Sequence, residues 1–185
     1  LARLVAEIFF QEVFLDGFFN SDPHPGNIMI LPPNRLAMYD FGQVGVLQED
    51  ARRTLLAAFL ALRNREVFEY IENLLRLSQP GEDRDIESFK RFAWDTLNRL
   101  FYGDTSLKNF HITDAFYKIV VSGAHYGIVF KSELVLLAKA FATVESLVVQ
   151  IDASFDFKDV MADLMQEMES RVLSPAVVGK TLKRV

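Results

Sequence analysis

Asp22 and Asn27 stand five residues apart, and thirteen residues further on comes Asp40-Phe41-Gly42. Two carboxylates and a carboxamide in this order suit phosphoryl transfer from a metal-bound nucleotide. Magnesium takes hard oxygen ligands in near-octahedral array and keeps several waters, so one or two protein oxygens plus phosphate oxygens are enough. Asp40 is expected to bridge the phosphates of ATP through Mg2+. Asn27 adds a neutral oxygen, which limits negative charge beside an anionic nucleotide. Asp22 stays free of the metal and meets the acceptor hydroxyl.

The same division of labour, one Asp at the acceptor and an Asn with a second Asp at magnesium, is the protein-kinase pattern. The intervening residues support it. Pro23 and Pro25 fix φ and bias Asp22 and His24 away from helix, onto an extended, stiff loop. Gly26 is expected to adopt a backbone conformation closed to other residues. Asn27-Ile28-Met29-Ile30-Leu31 reads as a short strand, Pro32-Pro33-Asn34-Arg35 as a turn, and Leu36-Ala37-Met38-Tyr39 as the return strand that delivers Asp40. Such a hairpin brings Asn27 and Asp40 together. A preorganised loop suits a reaction in which the protein supplies mainly positioning and electrostatics. His24, two residues after Asp22, has two readings: a donor to the transferring phosphoryl group, or a loop histidine that bonds a backbone carbonyl and shapes the turn. His24, His111 and His125 are scattered and there is no Cys, which disfavours zinc.

Phe14-Leu15-Asp16-Gly17-Phe18-Phe19-Asn20-Ser21-Asp22-Pro23-His24-Pro25-Gly26-Asn27, with Tyr39-Asp40-Phe41-Gly42-Gln43-Val44-Gly45, resembles the UbiB/ADCK/AarF atypical kinases. The resemblance continues through Ser132-Glu133-Leu134 and Glu145 to Ile151-Asp152-Ala153-Ser154-Phe155-Asp156, and so covers the chain to about Phe157. The Asp-Gly-Phe-Phe lead-in separates it from aminoglycoside and choline phosphotransferases, which share a similar loop. Two departures are visible. Asn20-Ser21 stands where the family usually has a His and a small residue, and Gln43 where Met is common. Neither touches a metal ligand. The resemblance implies ATP and Mg2+ as cofactors, Asp22 and His24 at the catalytic position, Asn27 and Asp40 at the metal, and a link to ubiquinone and other prenylquinone biosynthesis. It further implies prenylquinone or its biosynthetic proteins as partners. The location it implies is at a membrane, on the bacterial cytoplasmic side or in a mitochondrial or plastid interior. It also implies an upstream lobe with a Lys-x-Gly-Gln motif and an Ala-rich nucleotide loop. Neither is recognisable between Leu1 and Val185, and the chain opens at Leu1 in helical sequence. The expectation is therefore a C-terminal lobe alone, which binds nucleotide weakly and is inactive without its N-terminal lobe.

The rest of the chain must position these groups. With 185 residues, half of them hydrophobic, it can bury one substantial core. A net charge of −5 disfavours nucleic-acid binding, and zero Cys excludes disulfides. The pattern is mainly α (α+β): a kinase-like C-lobe over 1–173, with a catalytic loop at 20–27, the metal-binding triplet at 40–42, a helical scaffold over 49–173, and a basic tail or linker at 174–185. Leu1 to Phe19 reads as one buried helix with a polar line at Arg3, Glu7 and Gln11. Further helices are expected over Glu49–Leu62, Val67–Leu77, Ile86–Phe101, Thr113 to about His125, Glu133–Gln150 and Phe157–Leu173. Thr113, Ser132 and Asp156 are candidate caps, and Gly127 a break. Glu49 follows Asp40 so soon, with no Ala-Pro-Glu between, that no long activation loop fits.

Other features carry less. Phe157, Val160, Met161, Leu164, Met165, Met168 and Val172 form a helical stripe that reads as packing. Seventeen Phe residues read as core, with a prenyl groove as the alternative. Gly179-Lys180-Thr181 lacks the first glycine and the strand of a phosphate loop. Lys180, Lys183 and Arg184 form a basic end that could touch anionic lipid. No uncharged run approaches the roughly 20 apolar residues that span a bilayer. Three functions follow: an atypical kinase or ATPase, a non-catalytic scaffold or prenyl-lipid chaperone with a kinase fold, and a small-molecule phosphotransferase. The presence of Asp22, Asn27 and Asp40 together favours the first, since a scaffold needs none of them.

Overall fold

Helix α1, Ala2–Gln11, turns Ala2, Val5, Ala6, Phe9 and Phe10 inward at three- and four-residue spacing. Arg3 and Glu7 pair on its outer face at 2.7 Å. The computed structural model describes residues 1–33, 35–81, 83–102, 112–155 and 163–168. The helix does not run on to Phe19 as its apolar pattern suggested. It widens into a π-helical turn, Glu12–Asp16, and stops at Gly17, whose φ of 69° is the left-handed conformation that ends helices. A Cβ on Gly17 would also lie 2.8 Å from the Leu47 carbonyl oxygen.

Two small antiparallel ribbons follow, one nested in the other along the chain. β1, Phe18–Asn20, pairs with β4, Val44–Val46, with Phe19 opposite Gly45. Between them in sequence, β2, Ile28–Leu31, pairs with β3, Arg35–Met38, with Ile28 opposite Met38. The inner ribbon is the expected hairpin; Asn34 of its turn lies outside the described residues. The outer ribbon was not anticipated. Phe19 is fully buried, and its ring occupies the space above Gly45, where a Cβ would come within 2.2 Å of it.

Helices supply the remainder: α2 Glu49–Arg63, α3 Val67–Arg76, α4 Ile86–Tyr102, α5 Ile112–Ser122 and α6 Ser132–Ile151. α2 and α3 pack as a hairpin, turned by Asn64 and by Arg65 at φ 61°. α6 lies against α1 and α5. Its Phe141 is the hub of the core, with ring centroids 5.1 Å from Phe9, 5.6 Å from Phe10, 5.3 Å from Phe59 and 6.0 Å from Phe116. Leu164, Met165 and Met168 join this core, as the stripe reading expected; Phe157, Val160, Met161 and Val172 lie outside the described residues. So do Asp156, the expected cap of that last helix, and the basic tail.

Two cap readings are corrected. Thr113 sits inside α5, fully buried, and its hydroxyl donates to the Glu145 carboxylate of α6. The apolar environment makes a buried pair a better use of the hydroxyl than an exposed cap. Ser132 is the first residue of α6 rather than its cap, and its hydroxyl bonds Glu133 at 3.2 Å. Gly127 does mark a break, at φ 68°. By length and composition α6 could cross a membrane, but half of its apolar stretch is buried in the core. Phe18, Val44 and Val46 of the outer ribbon, with Met29, Ile30, Tyr39 and Phe41 around the inner one, expose their side chains.

Candidate functional site

The nesting of the ribbons decides where the motif residues go. Two segments connect the outer ribbon to the inner one: Ser21 to Asn27 going in, and Tyr39 to Gln43 coming out. Asp22, His24 and Asn27 lie on the first and Asp40 on the second. The segments are tied at both ends. At one end the Ser21 N–H and hydroxyl both donate to the Gln43 carbonyl, each at 3.0 Å. At the other, the Tyr39 N–H donates to the Asn27 carbonyl at 3.3 Å, and the Tyr39 hydroxyl donates to the Gly26 carbonyl.

Asp22, Asn27 and Asp40 are thereby brought to one cleft of about 280 Å3, completed by Asn20, Gly42 and Gln43. Asp40 uses Oδ1 to accept the Gly42 N–H at 2.8 Å, which fixes its carboxylate and leaves Oδ2 for another partner. Asp22 is half exposed, with Oδ1 at 4.0 Å from the Lys139 ammonium of α6. A pair this open to water contributes little stability, but it supplies a cation beside the cleft.

His24 does not line this cleft. It has extended φ/ψ of −67° and 142°, as its following proline requires, and caps the 3-10 turn Pro25–Asn27. Its Nδ1 accepts the Gly26 N–H at 3.1 Å. The turn-shaping reading thus describes its contact, through an amide rather than the expected carbonyl. The ring also lines a neighbouring cleft of about 490 Å3 with Tyr117, Lys139, Ser146 and Leu147. Gly26 is not in the left-handed region, contrary to expectation. What crowds it is His24, whose Nδ1 would lie 3.0 Å from a Cβ there.

The sequence marked Asn20 only as a departure that touches no metal ligand, and the structure corrects this, because it bonds the backbone of Asp40. It is 1% exposed. Its Oδ1 accepts the Asp22 N–H at 2.9 Å, and its Nδ2 donates to the Asp40 carbonyl at 2.9 Å. Its own N–H donates to Glu12 Oε2 at 3.2 Å. Burial pushes the Glu12 carboxyl above its ordinary pKa, the Asn20 N–H works against that, and nearby Asp16 adds to it. The available signal was a carboxamide inside an apolar run, two residues before a candidate catalytic Asp. Lys139 carried no local signal, because it reaches Asp22 only through the packing of α6.

The donor set fits magnesium. Asp40 and Asn27 offer hard oxygens in one cleft, with Asp22 beside them. Among the described residues no three His, Cys, Asp or Glu side chains come together as a metal cluster. A cation here would therefore complete its shell from phosphate oxygens and water, as magnesium does.

Residues 1–74 match the ABC1 atypical kinase-like domain, and residues 101–156 match the UbiB helical domain. The chain is 27% identical over 184 residues to a protein of Shewanella oneidensis named probable protein kinase UbiB, covering 97% of this chain and 33% of that protein. It is 33% identical over 122 residues to an uncharacterized protein of Synechocystis sp., covering 65% of this chain and 29% of that one. It thus spans about a third of the length of these curated relatives. No solved structure matches it. With both domains matched in order along a mainly helical chain, and the motif residues gathered in one cleft, the chain belongs to the UbiB/ADCK/AarF family of atypical kinase-like proteins.

Proposed function

We propose that this chain is the metal-binding and catalytic side of an atypical kinase or ATPase that uses Mg-ATP. The observation that carries the reading is the convergence of Asp22, Asn27 and Asp40 on one cleft from two connecting segments. Magnesium, when bound, would neutralise charge on the nucleotide phosphates. Asn27 and Asp40 would hold it, Asp40 through the oxygen not engaged by Gly42. Asp22 accepts the proton of the attacking hydroxyl or water, and Lys139 keeps that carboxylate facing a cation. His24 holds the loop in its turn and borders the second cleft, which opens beside the catalytic loop and is the natural side for an acceptor. The exposed apolar side chains of the two ribbons suit a covering lobe contributed by chain beyond these residues. The family supports a role in ubiquinone, or more broadly prenylquinone, biosynthesis, and a location at a membrane surface is proposed with it.

The test is a thermal shift on the full-length natural protein with ATP, with and without magnesium, for the wild type and Asp40→Asn. A ligand that binds only the folded state stabilises it by about 2.7 kcal/mol at one hundred times Kd. The expected result is a magnesium-dependent shift in the wild type that Asp40→Asn abolishes, with the unliganded melting temperature unchanged. A wild-type protein without a shift would overturn the reading.

A further inference from the structure

We infer that Asn20 is a positioning residue that locks the acceptor-side and metal-side segments of the site in one register, an inference that rests on the phosphoryl-transfer reading above. Asp22 and Asp40 are eighteen residues apart in sequence and lie on separate connections between the ribbons. One side chain touches the backbone of both. The Asn20 carboxamide presents an acceptor to the Asp22 N–H and a donor to the Asp40 carbonyl, each at 2.9 Å. Only one orientation of the amide satisfies both groups: turned over, it would set N–H against N–H and oxygen against oxygen. Because Asn20 is nearly inaccessible, water cannot replace either bond cheaply.

The clamp is itself anchored. The Asn20 N–H donates to Glu12, in the π-helical turn that ends α1. β1 pairing sets Asn20 opposite Val44, two residues beyond Gly42. The carboxamide is therefore held by the helical body on one side and by the outer ribbon on the other. Its two bonds transmit that fixed position to Asp22 and Asp40. The Ser21–Gln43 and Asn27–Tyr39 bonds tie the same two segments at their ends, but neither touches Asp22 or Asp40 themselves, and Lys139 approaches only Asp22. Asn20 bonds the Asp22 N–H and the Asp40 carbonyl rather than their carboxylates, so its effect on the site passes through the backbone that carries them.

The clamp makes a prediction that separates its two arms. Asn20→Asp keeps an oxygen for the Asp22 N–H but loses the donor to Asp40. Its added charge would by itself attract a cation, so weaker magnesium dependence would report the lost bond. In the full-length protein we expect the magnesium midpoint for the ATP-induced thermal shift to rise about tenfold in Asn20→Asp, while hydrogen exchange of the Asp22 amide stays near wild type. Asn20→Ala loses both arms, so Asp22 amide exchange should accelerate about tenfold as well. Asn20→His, which offers a ring donor and acceptor, should restore both readouts to within about threefold. Wild-type exchange at Asp22 together with a wild-type magnesium midpoint in Asn20→Ala would overturn the inference. If Asn20→Ala fails to fold, an unchanged midpoint in Asn20→Asp overturns it. If the wild type gives no magnesium-dependent shift, the functional reading fails, and the exchange rate alone decides the clamp: acceleration in Asn20→Ala upholds it and no change overturns it.

Discussion

Around Phe141, four rings from α1, α2 and α5 meet within 6.0 Å, whereas around Asn20 three hydrogen bonds converge on one small residue, two of them on its side chain. Both residues are buried and both join segments distant in sequence. The ring cluster does so without direction: dispersion and burial tolerate small rotations, and several side chains share the load. The carboxamide does so with direction, since each bond requires a given donor facing a given acceptor. A body that must only be stable uses the first kind of contact. A site that must hold two carboxylates at a fixed separation uses the second.

The contrast can be broken by experiment. Phe141→Ala should be the most damaging change, with a loss of about 3–5 kcal/mol in urea unfolding, because the cavity opens among rings from three other helices. A loss under about 1 kcal/mol would mean that the rings repack freely. Gly45→Ala tests the border between the regions, where the outer ribbon rests on a ring. The Phe19 ring is fully buried and cannot swing away, so the added methyl should cost about 1–3 kcal/mol and weaken magnesium-dependent nucleotide binding along with stability.

Tyr70 sharpens the comparison from the other side. Its hydroxyl is buried beside the Phe59 ring and has no hydrogen-bond partner among the described residues. Burial pushes its pKa far up. Tyr70→Phe should therefore gain about 1 kcal/mol, measured as a higher unfolding midpoint; a loss would reveal a directed contact inside the ring cluster. Glu12→Gln is the mildest. The folded protein holds the Glu12 proton more tightly than the unfolded chain, so its contribution is present below pH 4.5 and lost as pH rises through the raised value. Gln still accepts the Asn20 N–H without a charge to bury. The variant should gain on the wild type as pH rises from 4.5 toward neutral, and parallel pH profiles would refute this.

The same contrast explains what could be read from the chain. The helices announced themselves because burial follows a period: α2 ends one residue after the expected Leu62, and α3 one residue before the expected Leu77. The inner hairpin was legible from two apolar runs around Pro32-Pro33, and the motif spacing named Asp22, Asn27 and Asp40. The outer ribbon was not legible. Its strands are three residues each, too short to show alternation, and Phe18-Phe19 extends the apolar pattern of α1. Gly17 was the stop signal, outweighed by that periodicity. The roles of Asn20 and Thr113 were hidden for a further reason. Each bonds a residue far along the chain, Asp40 and Glu145, and a polar side chain gives no hint of its partner until the fold supplies one.

Helix α6 has a consequence for how the chain is made. Before α1 and α5 close around it, its twenty residues have the length and mean composition of a helix that could cross a membrane. Lys139 lies near its middle, where a Lys raises the cost of insertion by about 2.5–3.5 kcal/mol. Glu145 adds a further ionisable group about one and two-thirds turns on. The same lysine that faces Asp22 in the finished fold would thus bias the newly made helix toward water and its own core, rather than toward a bilayer.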